Sequence, residues 1–142
     1  MIFLDAYALL ALALDEPAAG EVEALIREDE AAMTAANLFE AVDYCIRRAG
    51  IPEADARAEL SLVVGDLVRI TPVTEDQAWR GAFLRGRYYA GGSCEVSLAD
   101  CLLLASAGNG DSVATADPSI GAVARAEGIT VVALPDTSGH RP

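Results

Sequence analysis

Apolar positions in this chain come in short runs separated by longer amphipathic stretches. The first run, Ile2-Phe3-Leu4, is too short for a helix, is closed by Asp5, and is followed at once by Ala6-Tyr7-Ala8-Leu9-Leu10-Ala11-Leu12. The pattern predicts a buried strand turning into a helix with Asp5 at the junction. Pro17-Ala18-Ala19-Gly20 breaks the helix, and Glu21 to Glu30 resumes a polar helix with Val22, Leu25 and Ile26 on one face and Pro17 in its first turn. Ala31 to Ala35 reads as a second strand. Asn37 to Gly50 reads as a helix with an asparagine cap, a basic last turn and a C-terminal glycine. Pro52 opens a further helix through Leu67, with Ala56, Leu60, Val63, Val64 and Leu67 in register.

Val68 to Val73 is the third strand, and Arg69, Thr71 and Pro72 suit an edge position. Thr74-Glu75-Asp76-Gln77 is a capping box for a helix reaching about Tyr89, stopped by Gly91-Gly92-Ser93. Ser97 to Ser106 is mostly apolar and so predicts a buried helix. Ser112 to Ala116 is the fourth strand, Asp117-Pro118 starts a short helix to Glu127, and Thr130 to Leu134 is the fifth strand. The expected fold is a single α/β domain over residues 1–135, a mainly parallel central sheet of four to five strands flanked by helices. Residues 136–142 form a C-terminal tail expected to fray.

Composition changes this picture little, and charge changes it more. A chain of 142 residues that is 53% hydrophobic can bury a core without disulfides. Cys45, Cys94 and Cys101 form no CxxC pair, which fits reduced, mostly buried thiols. The longest apolar stretch, Tyr7 to Leu14, neither spans a bilayer nor makes a secretory signal, so a cytoplasmic protein with no membrane partner is expected. The net charge of −12 opposes nonspecific nucleic-acid binding, which normally rests on cationic surface. A bound metal or a basic partner would offset it. All ten basic residues are arginines, a residue suited to bidentate phosphate contacts.

Four carboxylates stand where ligands bind in α/β sheets, beyond the carboxyl ends of strands and at helix starts. Asp5 and Asp117 end strands; Glu40 and Asp100 lie in first turns of helices. Each has a purely structural explanation. Asp5 and Asp117 are N-cap residues, while Glu40 follows Asn37, and Asp100 follows Ser97, at capping-box spacing. The conjunction favours a site, because Asp100 begins an otherwise apolar helix and neighbouring carboxylates repel unless a cation or shared protons intervene. Oxygen-only ligation suits Mg²⁺ or Mn²⁺, and there is no second histidine for zinc.

These residues carry a resemblance. Leu4-Asp5-Ala6, Asn37-Leu38-Phe39-Glu40, Ser97-Leu98-Ala99-Asp100 and Thr115-Ala116-Asp117, in this order, resemble the acidic motifs of PIN domains, and specifically those of VapC-type toxins, from Met1 to about Leu134. The resemblance implies a Mg²⁺- or Mn²⁺-dependent ribonuclease with Asp5, Glu40, Asp100 and Asp117 as catalytic metal ligands. It also implies a homodimer and inhibition by a VapB-type antitoxin, in a complex that can be larger. Thr115 fits the polar position expected two residues before the last acid. Tyr7 departs from the family, which commonly has Ser or Asn there. Arg85 and Arg87 are candidates to guide the RNA backbone, whereas His140 lies in the tail and is assigned no role. The competing reading is a catalytically weak PIN-fold module that chiefly binds its antitoxin. A nucleotide-binding α/β domain is disfavoured because neither GxGxxG nor GxxxxGK[ST] follows a strand.

Overall fold

The computed structural model describes residues 1–142. In chain order it contains β1 (Ile2–Leu4), α1 (Ala6–Ala13), α2 (Ala19–Glu28), β2 (Ala31–Thr34), α3 (Ala35–Arg47) and α4 (Glu53–Ser61). Then follow β3 (Val68–Thr71), α5 (Glu75–Tyr88), α6 (Leu98–Ser106), β4 (Ser112–Thr115), α7 (Pro118–Ala126) and β5 (Thr130–Ala133).

The strands form one five-stranded sheet in the order β3-β2-β1-β4-β5, and every pairing is parallel. Side chains alternate across a strand, and helices cover both faces, so β1 is apolar at every position. Ile2 and Leu4 pack into one core with α1, Val22 of α2, Met33 of β2 and Leu60 of α4. Phe3 faces the other, with Leu103 and Leu104 of α6, Val113 of β4, and Ile120 and Val123 of α7. Both β3 and β5 are edges, as Arg69, Thr71 and Pro72 predict for β3. No helix is long and apolar enough to cross a membrane.

The structure departs from the sequence reading at three helix boundaries and in the tail, and trims β2 and β3 to Thr34 and Thr71 and α2 to Glu28. Helix α3 begins at Ala35 rather than beyond Asn37, because the hydroxyl of Thr34 at the end of β2 accepts the Asn37 N–H (3.1 Å). Helix α2 begins at Ala19, leaving Pro17 ahead of it. Helix α4 ends at Ser61 instead of Leu67, since the chain turns through Gly65 at φ +99°. The tail is tied down rather than frayed. The Asp136 carboxylate accepts the N–H groups of Ser138 (2.7 Å) and His140 (2.9 Å), and Arg141 pairs with Glu21 (2.5 Å).

This topology fixes where a ligand can approach. From β1 the chain builds outward to β2 and β3, then returns to lay β4 and β5 on the other side of β1. The boundary between β1 and β4 is therefore the topological switch point, where connecting segments diverge and leave a crevice beyond the strand ends.

Candidate functional site

Asp5 follows the last residue of β1, and Thr115 ends the neighbouring strand β4. Leu4 pairs with Ala114, so Asp5 and Thr115 lie beside one another across the switch point. The Thr115 hydroxyl donates to one Asp5 oxygen (2.5 Å), and the Ala8 N–H donates to the other (2.8 Å). Asp5 thus caps α1, yet it is 3% exposed with no ion-pair partner. Burial pushes its carboxyl up to about 7, against the two hydrogen bonds, and the nearby charges of Asp100 and Asp117 push the same way.

Asp100 and Asp117 arrive through helix starts. Ser97 and Asp100 form a capping box, in which the Ser97 N–H donates to Asp100 Oδ2 (2.6 Å) and the Asp100 N–H to Ser97 Oγ (3.1 Å). Asp100 is buried, and burial raises its carboxyl above the usual range despite those bonds, with Asp117 adding repulsion. Asp117 Oδ1 accepts the N–H groups of Ser119 (2.6 Å) and Ile120 (3.3 Å), capping α7. The Asp117 N–H donates in turn to the Thr115 hydroxyl (2.9 Å), so Thr115 ties the first and last acids together.

Glu40 behaves differently from its expected structural role. With Thr34 capping α3, Glu40 takes no part in a capping box and makes no hydrogen bond. It is half-buried, and its carboxyl is raised first by burial and then by Asp100, Asp117 and Asp43. Three of the four acids therefore are helix caps, and all four nevertheless share one electrostatic neighbourhood. At Asp100 and Asp117 a capping role and a site role coexist because the cap occupies one carboxylate oxygen and leaves the other free, whereas both Asp5 oxygens accept a hydrogen bond. Asp100 Oδ1, Asp117 Oδ2 and both Glu40 oxygens accept no hydrogen bond.

No arginine or histidine pairs with any of these acids. The donor set is all oxygen, repulsive and uncompensated, with Asp5 and Asp100 buried, Glu40 half-buried and Asp117 exposed, which fits a hard divalent cation such as Mg²⁺ or Mn²⁺. No three Asp, Glu, His or Cys side chains come close enough together to hold one ion directly. The three main cavities also lie elsewhere, lined by none of the four acids. The acids thus stand apart from one another, an arrangement suited to part-direct, part-water-mediated ligation.

Other sequence candidates have defined places. The Tyr7 hydroxyl donates to the Pro135 carbonyl (3.0 Å), which anchors the end of β5 to α1 and commits the phenol away from Asp5. Arg85 donates to the Val96 carbonyl (3.3 Å) and lies over the Tyr89 ring (4.5 Å), steadying the loop that leads to Ser97. Arg87 pairs with Glu127 (2.6 Å) at the end of α7. His140 is exposed beside Asp136. Sequence reasoning missed Thr34, legible as a cap from its spacing to Asn37, and it took Asn37 for the cap. Asn37 is fully buried, its side-chain oxygen accepting from Thr34 (2.5 Å) and its side-chain nitrogen unpartnered.

The fold has solved relatives. It is similar to the sarcin-ricin-loop-cleaving toxin VapC20 of Mycobacterium tuberculosis, at 20% identity and a TM-score of 0.59, covering 91% of this chain and 85% of that one. It is similar to VapBC2 of Rickettsia felis bound to a promoter DNA fragment, at 12% identity and a TM-score of 0.67, covering 93% and 98%. A toxin–antitoxin complex from Klebsiella pneumoniae matches at 21% identity and a TM-score of 0.58, covering 82% and 87%. At these identities the likeness is one of fold. No curated protein matches the chain in sequence. The PIN domain family model matches residues 2–126, nearly the whole length and all four of Asp5, Glu40, Asp100 and Asp117. With the parallel sheet and the acidic crevice at its switch point, that match places the chain in the PIN-domain family.

Proposed function

We propose that this chain is a ribonuclease that depends on Mg²⁺ or Mn²⁺ and acts as the toxin of a VapC-type toxin–antitoxin pair. The observation that carries the reading is the pair Asp5 and Asp100, two buried carboxylates in one electrostatic neighbourhood with no cationic partner. Such a pair is tolerated structurally only by holding a proton or a cation. When bound, the metal supplies an acidified water and neutralises charge that develops on phosphate and leaving oxygen.

Asp5 and Asp100 are the residues that would hold it most directly, with Asp117 and Glu40 contributing through their free oxygens. Thr115 fixes the Asp5 carboxylate so that it need not reorganise as charge shifts. Glu40, free of hydrogen bonds and raised in proton affinity, is placed to take a proton from an attacking water. No side-chain nucleophile is required. Antitoxin binding and homodimerisation complete the proposal, the negative surface favouring a basic partner segment.

Purified chain incubated with structured RNA and Mn²⁺ tests the reading. Cleavage that EDTA stops and that Asp5→Asn or Asp100→Asn reduces at least about a hundredfold is expected. Equal cleavage by wild type and both variants would reject it. One observation favours the weaker reading, a fold retained chiefly to bind an antitoxin: Tyr7 is committed to Pro135, so the usual small polar neighbour of the first acid is missing. RNA left intact by a wild-type chain that binds Mn²⁺ would select that alternative.

A further inference from the structure

Residues 77–94 stand apart from the rest of this acidic chain. They hold Arg80, Arg85 and Arg87 and four of the eight aromatic residues, Trp79, Phe83, Tyr88 and Tyr89, with no Asp or Glu. Most of the stretch is α5, which packs on α6 through Gly81 and Leu84 and turns its other side outward. Trp79 and Phe83, one turn apart on that side, are 59% and 62% exposed, their ring centroids 6.0 Å apart.

Beside them lies a cavity of about 340 Å³ between α5, the C-terminal end of α6 and the C-terminal end of α7. Its charged groups are Arg80, Arg87 and Glu127, and Asn109 in the loop after α6 adds a polar side chain. Glu127 occupies one Arg87 nitrogen and also accepts the Tyr88 hydroxyl (2.6 Å). Arg80 pairs with nothing, which leaves the cavity with an uncompensated positive charge.

We propose that the outer face of α5 and this cavity form an RNA-binding exosite, taking the single-stranded segment that flanks the cleaved bond. The argument rests on the ribonuclease reading and on charge complementarity. A chain of net charge −12 repels phosphate nearly everywhere, so RNA must be held where positive charge is concentrated. Arginine interleaved with exposed aromatic faces is the chemistry that holds single strands, the guanidinium on phosphate and the rings on bases, with little dependence on sequence. Geometry agrees. Asp100 lies in the first turn of α6 and the cavity at its last, a separation of about 9 Å at 1.5 Å per residue. A strand leaving the acids needs only a few nucleotides to reach it.

The test is binding of a fluorescent single-stranded RNA of about twenty nucleotides to the full chain in EDTA, where affinity is read without cleavage. Arg80→Glu and Phe83→Ala should each weaken binding about tenfold, and Arg80→Glu should also flatten its salt dependence. Both side chains are exposed, so circular dichroism and gel filtration should match wild type. Unchanged affinity in both variants, with wild-type RNA cleavage in Mn²⁺, would overturn the exosite and leave the nuclease standing. Affinity lost in the variants, with no cleavage by wild type, would keep the exosite and sink the nuclease. A change in oligomeric state, or in affinity for an acidic peptide, without one in RNA affinity would give the face to a protein and overturn the proposal.

Discussion

A buried aspartate with a hydroxyl and an amide as its hydrogen-bond donors and two other acids near it keeps its proton long after a solvated one has lost it. Asp5 does so until about pH 7, against 3.8 for an ordinary aspartate. Between these values the folded chain binds a proton that the unfolded chain does not. The stabilisation is therefore complete at low pH and is lost as pH rises through about 7. Denaturant melts in EDTA should show the chain weakening from pH 5 to pH 8 by roughly 2–4 kcal/mol. Asp5→Asn should remove most of that slope and be the more stable protein at pH 8; a wild-type chain whose stability rises with pH would contradict this. Asp5, Asp100 and Asp117 were legible from sequence because each closes a strand or opens a helix. Glu40 was harder to read, because its apparent bond to an Asn37 cap assumed the helix started three residues late. Thr115 drew notice through family resemblance, and its link from Asp5 to Asp117 became visible only with β1 and β4 paired.

Helices α5 and α6 lie so close that the contact depends on a missing side chain. A Cβ at Gly81 would meet the Cys101 carbonyl oxygen at 3.2 Å and its carbon at 3.4 Å, on the backbone turn that carries Asp100. Gly86, on the same helix, has nothing within 4 Å. Gly81→Ala should therefore lower stability by about 1–3 kcal/mol, through overpacking, and disturb the Asp100 turn. Gly86→Ala should raise stability by roughly 0.5–1 kcal/mol through helix propensity alone. Thermal melts of the two variants side by side separate packing from propensity, and an equal response would show that the helices do not need the close approach. Capping spacings in the sequence marked the starts of α5, α6 and α7 well. The end of α4 was missed because the apolar positions Val63, Val64 and Leu67 continue a helical pattern through a turn at Gly65. The tail was misjudged because its anchors, Glu21 and Arg141, are far apart in sequence.

At the scale of the molecule, the alternation of strands and helices announced a parallel sheet, but not which strands would be neighbours. Strand order is set by how helices share the two faces, and β1 reaches the centre because it is buried on both. Only that order makes a switch point between β1 and β4 and carries Asp5, Asp100 and Asp117 to the same end of the sheet. Of the α5 exosite candidate the sequence reading named only Arg87, for a related reason: Trp79, Arg80 and Phe83 became a surface only once Gly81 and Leu84 were seen to face α6.

The account stands or falls on whether the crevice binds a divalent cation through its buried acids. The direct measurement is the melting temperature of the metal-free chain titrated with Mn²⁺, for wild type, Asp5→Asn and Asp100→Asn. A ligand at about a hundred times its dissociation constant stabilises the state that binds it by about 2.7 kcal/mol. The wild-type transition should therefore rise by several degrees and saturate, and both variants should lose most of the rise. A wild-type melt indifferent to Mn²⁺, or variants that respond as strongly as wild type, would contradict the account.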